Sequence, residues 1–541
     1  MKIFRIILFF SSVTTSTPFL LADALPSDDI DIKHYRFELE LFDSTDVVNG
    51  KATLKILFNK PVNTFELDLG SKKQQGKGMS VNRVSLVSLV SVKGQDLSFT
   101  HENDHLRITM NSQTKPGEEL TINISYQGIP EDGLIISKNK FGDRTFFGDN
   151  WPDRAHYWLP TIDHPADKAT VEFVVTAPAR YQVIGNGVKL EESYLNSKQK
   201  LTHWSEDAAI STKVMVMGAA CFAIQYDEHV GHIPIEHWVY PQNRENGFHD
   251  FAAAKNMLDF FIQHIGPYSY KKLANVQSTT RYGGMENASN IFYFEDFVNG
   301  KADHDNLIAH EIAHQWFGNS VSEKDWNHVW LSEGFATYFT HLYNESKYGS
   351  DQRAADMQED RRQVIEFYKK SPLPVVFTTL PKNLIEILSI NSYQKGSWIL
   401  HMLRQEIGND DFWKGIRLYY KAFQNGNAIT MDFRRVMENV SGKDLRLFFD
   451  QWLHGLGHPV LSYAWKYDTK AKSLQISIKQ LQKEQVFSFP LEIGIYKKGE
   501  LRPLIEKVRL EGETTLINIP LASKPAEIRL DPYINLLFEE N

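Results

Sequence analysis

The feature that most restricts the fold is a double change of hydrophobic period along the chain. From about Asp31 to Tyr226 apolar side chains recur at every second position, as in Tyr35, Phe37, Leu39 and Leu41, in Ala52, Leu54, Ile56 and Phe58, and in Val171, Phe173 and Val175. A period of two sends alternate side chains to opposite faces of a strand, so this stretch predicts antiparallel sheet. The run from Val84 to Val92 reads as one further strand. Beyond about His237 the spacing becomes helical, first over Phe251 to Ile265, which stops at the breaker pair Gly266-Pro267. Helices are then expected over 305–317, 331–348, 352–369, 394–407 and 412–423. Alternation returns after Gly457-His458-Pro459, in Leu474, Ile476 and Ile478 and in Leu491, Ile493 and Ile495, and predicts a small β-sandwich.

The expected fold is therefore multi-domain α+β. An N-terminal β domain over 25–236 leads to a mostly helical domain over 237–457 and a C-terminal β-sandwich over 458–541. A chain of 541 residues, 42% of them hydrophobic, has enough apolar surface for several cores. The formal net charge of −8 gives no basic excess for a nucleic-acid partner, and none is expected. Residues 1–24 carry Lys2 and Arg5, apolar patches, and Ala22-Asp23-Ala24 at the end, the layout of an export leader cleaved after Ala24. Export to a periplasm or the medium is the expectation. Cys221 is the only cysteine, so no intramolecular disulfide can form. No later stretch approaches the roughly 18 apolar residues of a membrane span, and a monomer is expected.

Chemistry concentrates at His310-Glu311-Ile312-Ala313-His314, an HExxH motif in a helical pattern. Asp305 is placed to cap the helix start and Gly318-Asn319 to end it. A spacing of four stacks the two imidazoles one turn apart on one face, where both can hold the same zinc ion, with Glu311 placed to reach a water on it. A catalytic zinc needs a third protein ligand. Glu333, in Trp330-Leu331-Ser332-Glu333-Gly334, is the candidate, because a helix, a turn and the start of a second helix bring it back over the histidines. The blander reading makes Glu333 a first-turn carboxylate capped by Ser332.

These residues resemble the gluzincin aminopeptidases, the family of aminopeptidase N and leukotriene hydrolase. In that family eighteen residues separate HExxH from the glutamate ligand, as Gln315 to Ser332 do here. Its G-x-M-E-N signature is similar to Gly283-Gly284-Met285-Glu286-Asn287, and its Y-x-K-G context to Tyr393-Gln394-Lys395-Gly396. The resemblance implies a thermolysin-like catalytic domain with one zinc per chain held by His310, His314 and Glu333. It implies Glu311 as general base, Tyr393 as stabiliser of the oxyanion, and Gly283 to Asn287 as substrate-binding, with Glu286 meeting the amine of a peptide with a free N-terminus. A further helical domain usually follows in the family, so a short, three-domain form is expected.

Two departures stand out. Where the family often has an amine-contacting glutamine, this chain has Gly148-Asp149-Asn150-Trp151-Pro152-Asp153-Arg154, so Asp149 or Asn150 is expected to substitute. Upstream of Tyr393, Ile385 to Leu388 do not repeat the tyrosine and aspartate of leukotriene hydrolase, and epoxide hydrolysis is not expected. The expected activity is zinc aminopeptidase. A zinc endopeptidase and a non-catalytic peptide-binding protein on the same scaffold are the alternatives.

Overall fold

A computed structural model describes residues 28–87, 94–226, 229–500 and 502–541. The expected leader and the end of the expected Val84 to Val92 strand, from Ser88 on, lie outside the described residues.

The alternating N-terminal residues build an eight-stranded sheet. Its spatial order is Val188–Tyr194, Gln199–Ser211, Lys168–Pro178, Ile30–Glu40, Val48–Phe58, Glu118–Ile129, Gly78–Leu86, Gln95–Asp96. Tyr35, Phe37 and Leu39 stand opposite Leu54, Ala52 and Gly50, and the apolar members of these pairs are buried. The expectation of a wholly antiparallel sheet is corrected at one seam: Ile30–Glu40 runs parallel to Lys168–Pro178, with Phe37 beside Phe173. Alternation decides which face a side chain takes, but it carries no information about a neighbour's direction.

The helical region opens on a sheet that the pattern did not predict. Five strands lie in the order Ala223–Tyr226, Ile235–Val239, Leu273–Ser278, Asn290–Phe294, Gly284–Met285. Every residue of Ile235–Val239 and Leu273–Ser278 is buried. Such two-sided burial removes the polar alternation by which a strand is recognised. The helices that follow or flank it are α1 (Arg244–Asp250), α2 (Ala254–His264), α3 (Asp305–Ala313), α4 (Trp330–Tyr348), α5 (Ser350–Tyr368), α6 (Gly396–Ile407), α7 (Asn409–Phe423), α8 (Thr430–Ser441) and α9 (Arg446–Phe449). The single helix expected from Phe251 begins at Ala254 instead, because Phe251 closes α1. Helix α3 also ends earlier than the expected Phe317: His314 is its C-cap residue, and His304 takes the N-cap position without a side-chain capping bond, with Asp305 inside the first turn and paired with Lys347. No helix among the described residues is long and apolar enough to cross a membrane.

Beyond Pro459 the chain forms two sheets. One is ordered Thr514–Pro520, Ser473–Gln480, Val460–Asp468, Glu539–Glu540, and the other Leu504–Leu510, Phe489–Tyr496, Glu527–Leu530. Leu474, Ile476, Ile478, Leu491, Ile493 and Ile495 are all buried.

Helices α4 and α5 are tied by His341, whose ring faces Asp356 and Asp360. Burial alone would favour the neutral ring, yet the two carboxylates outweigh it and lift His341 to about 9. Asp356 is held below its ordinary value while the more deeply buried Asp360 is pushed above it, so the imidazolium charge is shared unequally. A histidine whose folded value exceeds the ordinary 6.5 contributes stability that is complete below pH 6.5 and lost as pH rises through about 9. Urea midpoints of the native protein and of His341→Gln should therefore differ more at pH 6 than at pH 10. An equal difference at both would show that the ring does not gain its charge here.

Candidate metal centre

Helices α3 and α4 bring together the three residues that the spacing singled out. His310 Nε2 and His314 Nε2 lie 3.0 Å apart. Glu333 Oε2 is 3.5 Å from the first and 3.3 Å from the second. A tetrahedral zinc with bonds of about 2.0–2.1 Å separates its ligand atoms by about 3.3 Å, so this triangle has the size of one face of such a site. His314 is oriented from behind: its Nδ1 lies 3.0 Å from the Phe317 carbonyl, to which an Nδ1–H donates, leaving the Nε2 lone pair for the metal. Ser332 Oγ, 3.1 Å from the same Nδ1, takes part in this shell and does not cap α4.

Glycines allow the elements to come this close. Gly318 turns the chain after α3 at φ +117°, and a Cβ there would sit 2.3 Å from Ser332 Oγ. Gly334 of α4 and Gly396 of α6 touch, with a Cβ on either meeting the other's Cα at 2.8 Å. This contact seats the π-helical turn Asn391–Lys395, which precedes α6, against α4. The Tyr393 ring thereby stacks 5.8 Å from the His310 ring.

Gly284–Met285 is the edge strand of the five-stranded sheet and forms one wall of a partly open cavity. Gly284, Met285, Glu286, His310, Glu311, His314, Glu333 and Tyr393 line it, together with Trp151, Tyr282 and Leu388. Gly283 lies beside this wall, partnering the Phe294 amide through its carbonyl, while Asn287 is fully buried with its carbonyl bonded to the Asn290 amide. Asp149 and Asn150 are not among the residues that line the cavity. Asn150 is consumed structurally: its amide donates to the Thr212 and Met215 carbonyls and its oxygen accepts from Trp158 Nε1. Asp149 is bonded to Arg154 at 2.5 Å. The same segment instead contributes Trp151.

Three buried carboxylates, Glu286, Glu311 and Glu333, surround His314. Burial pushes Glu311 well above the ordinary carboxylate range, with Glu286 and Glu333 adding to the effect against His314. Burial raises Glu286 likewise, reinforced by Glu333. Glu333 goes the other way: burial opposes its charge, but His314 and His310 overcome that. His314 rises to about 10, since the carboxylates outweigh burial. Oε1 of Glu286 is buried without a hydrogen-bond partner. Among the described residues two donor sets satisfy the distance requirement for a metal, His310-His314-Glu333 and Glu286-Glu311-His314. The first has the nitrogen-rich character that zinc takes, and a dication there offsets the clustered negative charge.

Two residues that the pattern reading passed over support Glu286. Gln315 Nε2 and Asn319 Nδ2 both donate to the Glu286 carbonyl, at 2.8 and 2.5 Å. Gln315 lies one turn beyond Glu311, and that helical offset was the available signal.

Comparison with known proteins points the same way. Residues 32–214 match the peptidase M1 N-terminal domain and residues 249–452 the peptidase family M1 domain. Glutamyl aminopeptidase of Mus musculus is 25% identical over 480 residues, covering 84% of this chain and 50% of that protein. A probable aminopeptidase 2 of Sulfurisphaera tokodaii is 25% identical over 470 residues, covering 82% of this chain and 58% of that protein. Human glutamyl aminopeptidase is 29% identical over 334 residues, 58% of this chain and 34% of its own length. The matched region thus spans about a third to somewhat over half of these relatives.

Proposed function

Because this chain belongs to peptidase family M1, we propose that it is a zinc aminopeptidase that removes the first residue from peptides with a free N-terminus. The observation that carries the reading is Glu286, a buried carboxylate with an unpartnered oxygen, in the same cavity as the His310-His314-Glu333 triangle. A carboxylate so placed can receive a substrate ammonium in a charge-assisted hydrogen bond and so limits cleavage to the adjacent peptide bond. A zinc ion on the triangle supplies a Lewis acid that lowers the pKa of water toward about 7 and polarises a carbonyl. Glu311 accepts the proton of the attacking water and passes it to the leaving amine. Tyr393 donates a hydrogen bond to the substrate carbonyl oxygen as negative charge develops on it. The backbone at Gly283 and Gly284 lies along the sheet edge, where an extended substrate can pair. We also take the two C-terminal sheets as a β-sandwich, a reading supported by the bond from Tyr463 Oη to the Ile528 carbonyl of the opposite sheet.

Two of the relatives above carry the name glutamyl aminopeptidase, which suggests an acidic first residue as a second reading. The cavity wall favours an apolar one. Among the described residues lining it there is no lysine or arginine, and Trp151, Tyr282, Met285 and Leu388 are its uncharged wall. The nearby Arg154 and Arg281 are engaged by Asp149 and Asp132. Aminoacyl amides of leucine, phenylalanine and glutamate, each free and N-acetylated, provide the test. The free leucine or phenylalanine compound should be hydrolysed fastest and the acetylated forms hardly at all. Equal rates on acetylated substrates would instead indicate an endopeptidase, and preference for glutamate would sink the apolar reading alone.

Glu311 also depends on the absence of a side chain opposite it. A Cβ on Gly284 would lie 2.4 Å from Glu311 Oε1. Gly284→Ala should therefore displace the carboxylate and lower kcat by about 10²-fold, the cost typical of a 1 Å misplacement, while zinc content stays at the native level. Unchanged kcat would show that the base tolerates the shift.

A further inference from the structure

Two lysines of the N-terminal region grip the turn that follows the metal-bearing helix. Lys168, the first residue of the strand Lys168–Pro178, sends its Nζ to the carbonyls of Asn319 at 2.9 Å and Ser320 at 2.8 Å. Lys213, fully buried, pairs with Glu323 and lies 5.4 Å from the ring centre of Trp326. Trp326 in turn packs edge-on against Trp151, one of the cavity walls, at 5.4 Å. From the same turn the side chain of Asn319, wholly buried, donates to the Glu286 carbonyl at 2.5 Å. Asn319 therefore links the two: its backbone is held by the Lys168 amine from one part of the molecule, and its side-chain amide holds the backbone of the residue whose carboxylate faces the cavity.

Stability alone does not account for this arrangement. Removing ammonium groups from water is costly, and well-packed apolar residues commonly serve a buried junction as well or better. The Lys168 amine adds direction, since it bonds two successive carbonyls and fixes the peptide plane between them.

We propose that Lys168 is a positioning residue for the substrate amine, setting the place of Glu286 through Asn319. This rests on the reading of Glu286 as the amine anchor. It also gives Lys168 a part in substrate affinity without direct contact with substrate.

Two inhibitors separate the amine site from the metal site. Leucine hydroxamate offers an ammonium and a metal-binding hydroxamate, whereas acetohydroxamic acid offers the hydroxamate alone. With the zinc-loaded full chain, Lys168→Met should raise the inhibition constant of leucine hydroxamate about 10-fold, within the range for substitutions that act through a coupled network. The constant for acetohydroxamic acid and the zinc content should stay at native values. Lys168→Arg, which retains two donors on a cation, should restore most of the leucine hydroxamate affinity. Lys168→Gln, which retains a neutral donor, gives the same comparison where the methionine variant does not fold. A shift of both constants by the same factor, or of neither, overturns the proposal, because a purely structural lysine changes the active fraction and not this selectivity. If the native protein binds leucine hydroxamate no better than acetohydroxamic acid, the amine-anchor reading itself falls and takes this proposal with it.

Discussion

Glu311→Gln is expected to lower kcat by about 10²- to 10⁴-fold while the protein keeps its full complement of zinc, the range over which a positioned general base contributes. The substitution preserves shape and removes only the ability to take a proton. Glu311 is not among the three atoms of the His310-His314-Glu333 triangle, so metal content should not follow activity. Its buried setting, beside Gly284 and shared with Glu286 and Glu333, gives the carboxylate a raised affinity for a proton. Kinetics on a leucyl amide, with zinc measured on the same samples, decides the matter. Near-native kcat in the glutamine variant would remove Glu311 from the proton-transfer role, and loss of zinc together with activity would make it a ligand.

Loss of the metal should have the larger effect. Glu333→Ala, which leaves only His310 and His314 of the triangle, or a chelator, which withdraws the ion from an intact triangle, should abolish measurable hydrolysis, with zinc restoring the chelated native protein but not the variant. A thermal consequence should follow. Three buried carboxylates converge around His314, and any ion that binds only the folded state raises apparent stability as its concentration exceeds the dissociation constant. Melting of the native protein should thus move upward with added zinc, while the Glu333→Ala curve responds far less. Equal thermal responses in the two proteins would place the metal on the alternative set Glu286-Glu311-His314.

Of the molecule's organisation, the amino-acid sequence alone determined what depends on short separations along the chain. His310 and His314 share a helix face because their offset is close to one turn, and that relation holds wherever the helix lies. The order of sheet, helices and sheet was likewise readable, because a strand with one solvated face must alternate and an amphipathic helix must repeat near 3.6. The tertiary structure decided what depends on contacts between distant segments. The parallel seam between Ile30–Glu40 and Lys168–Pro178 joins residues more than a hundred positions apart. The strands over 235–239 and 273–278 were hidden because burial on both faces leaves no polar alternation. The Asn150 side chain, singled out by motif position, bonds Trp158, Thr212 and Met215, partners that no local pattern links to it. Asn319 and Lys168 show the converse: each is unremarkable in its own neighbourhood, and only folding brings the Asn319 amide to the Glu286 carbonyl and the Lys168 amine to the turn at Asn319.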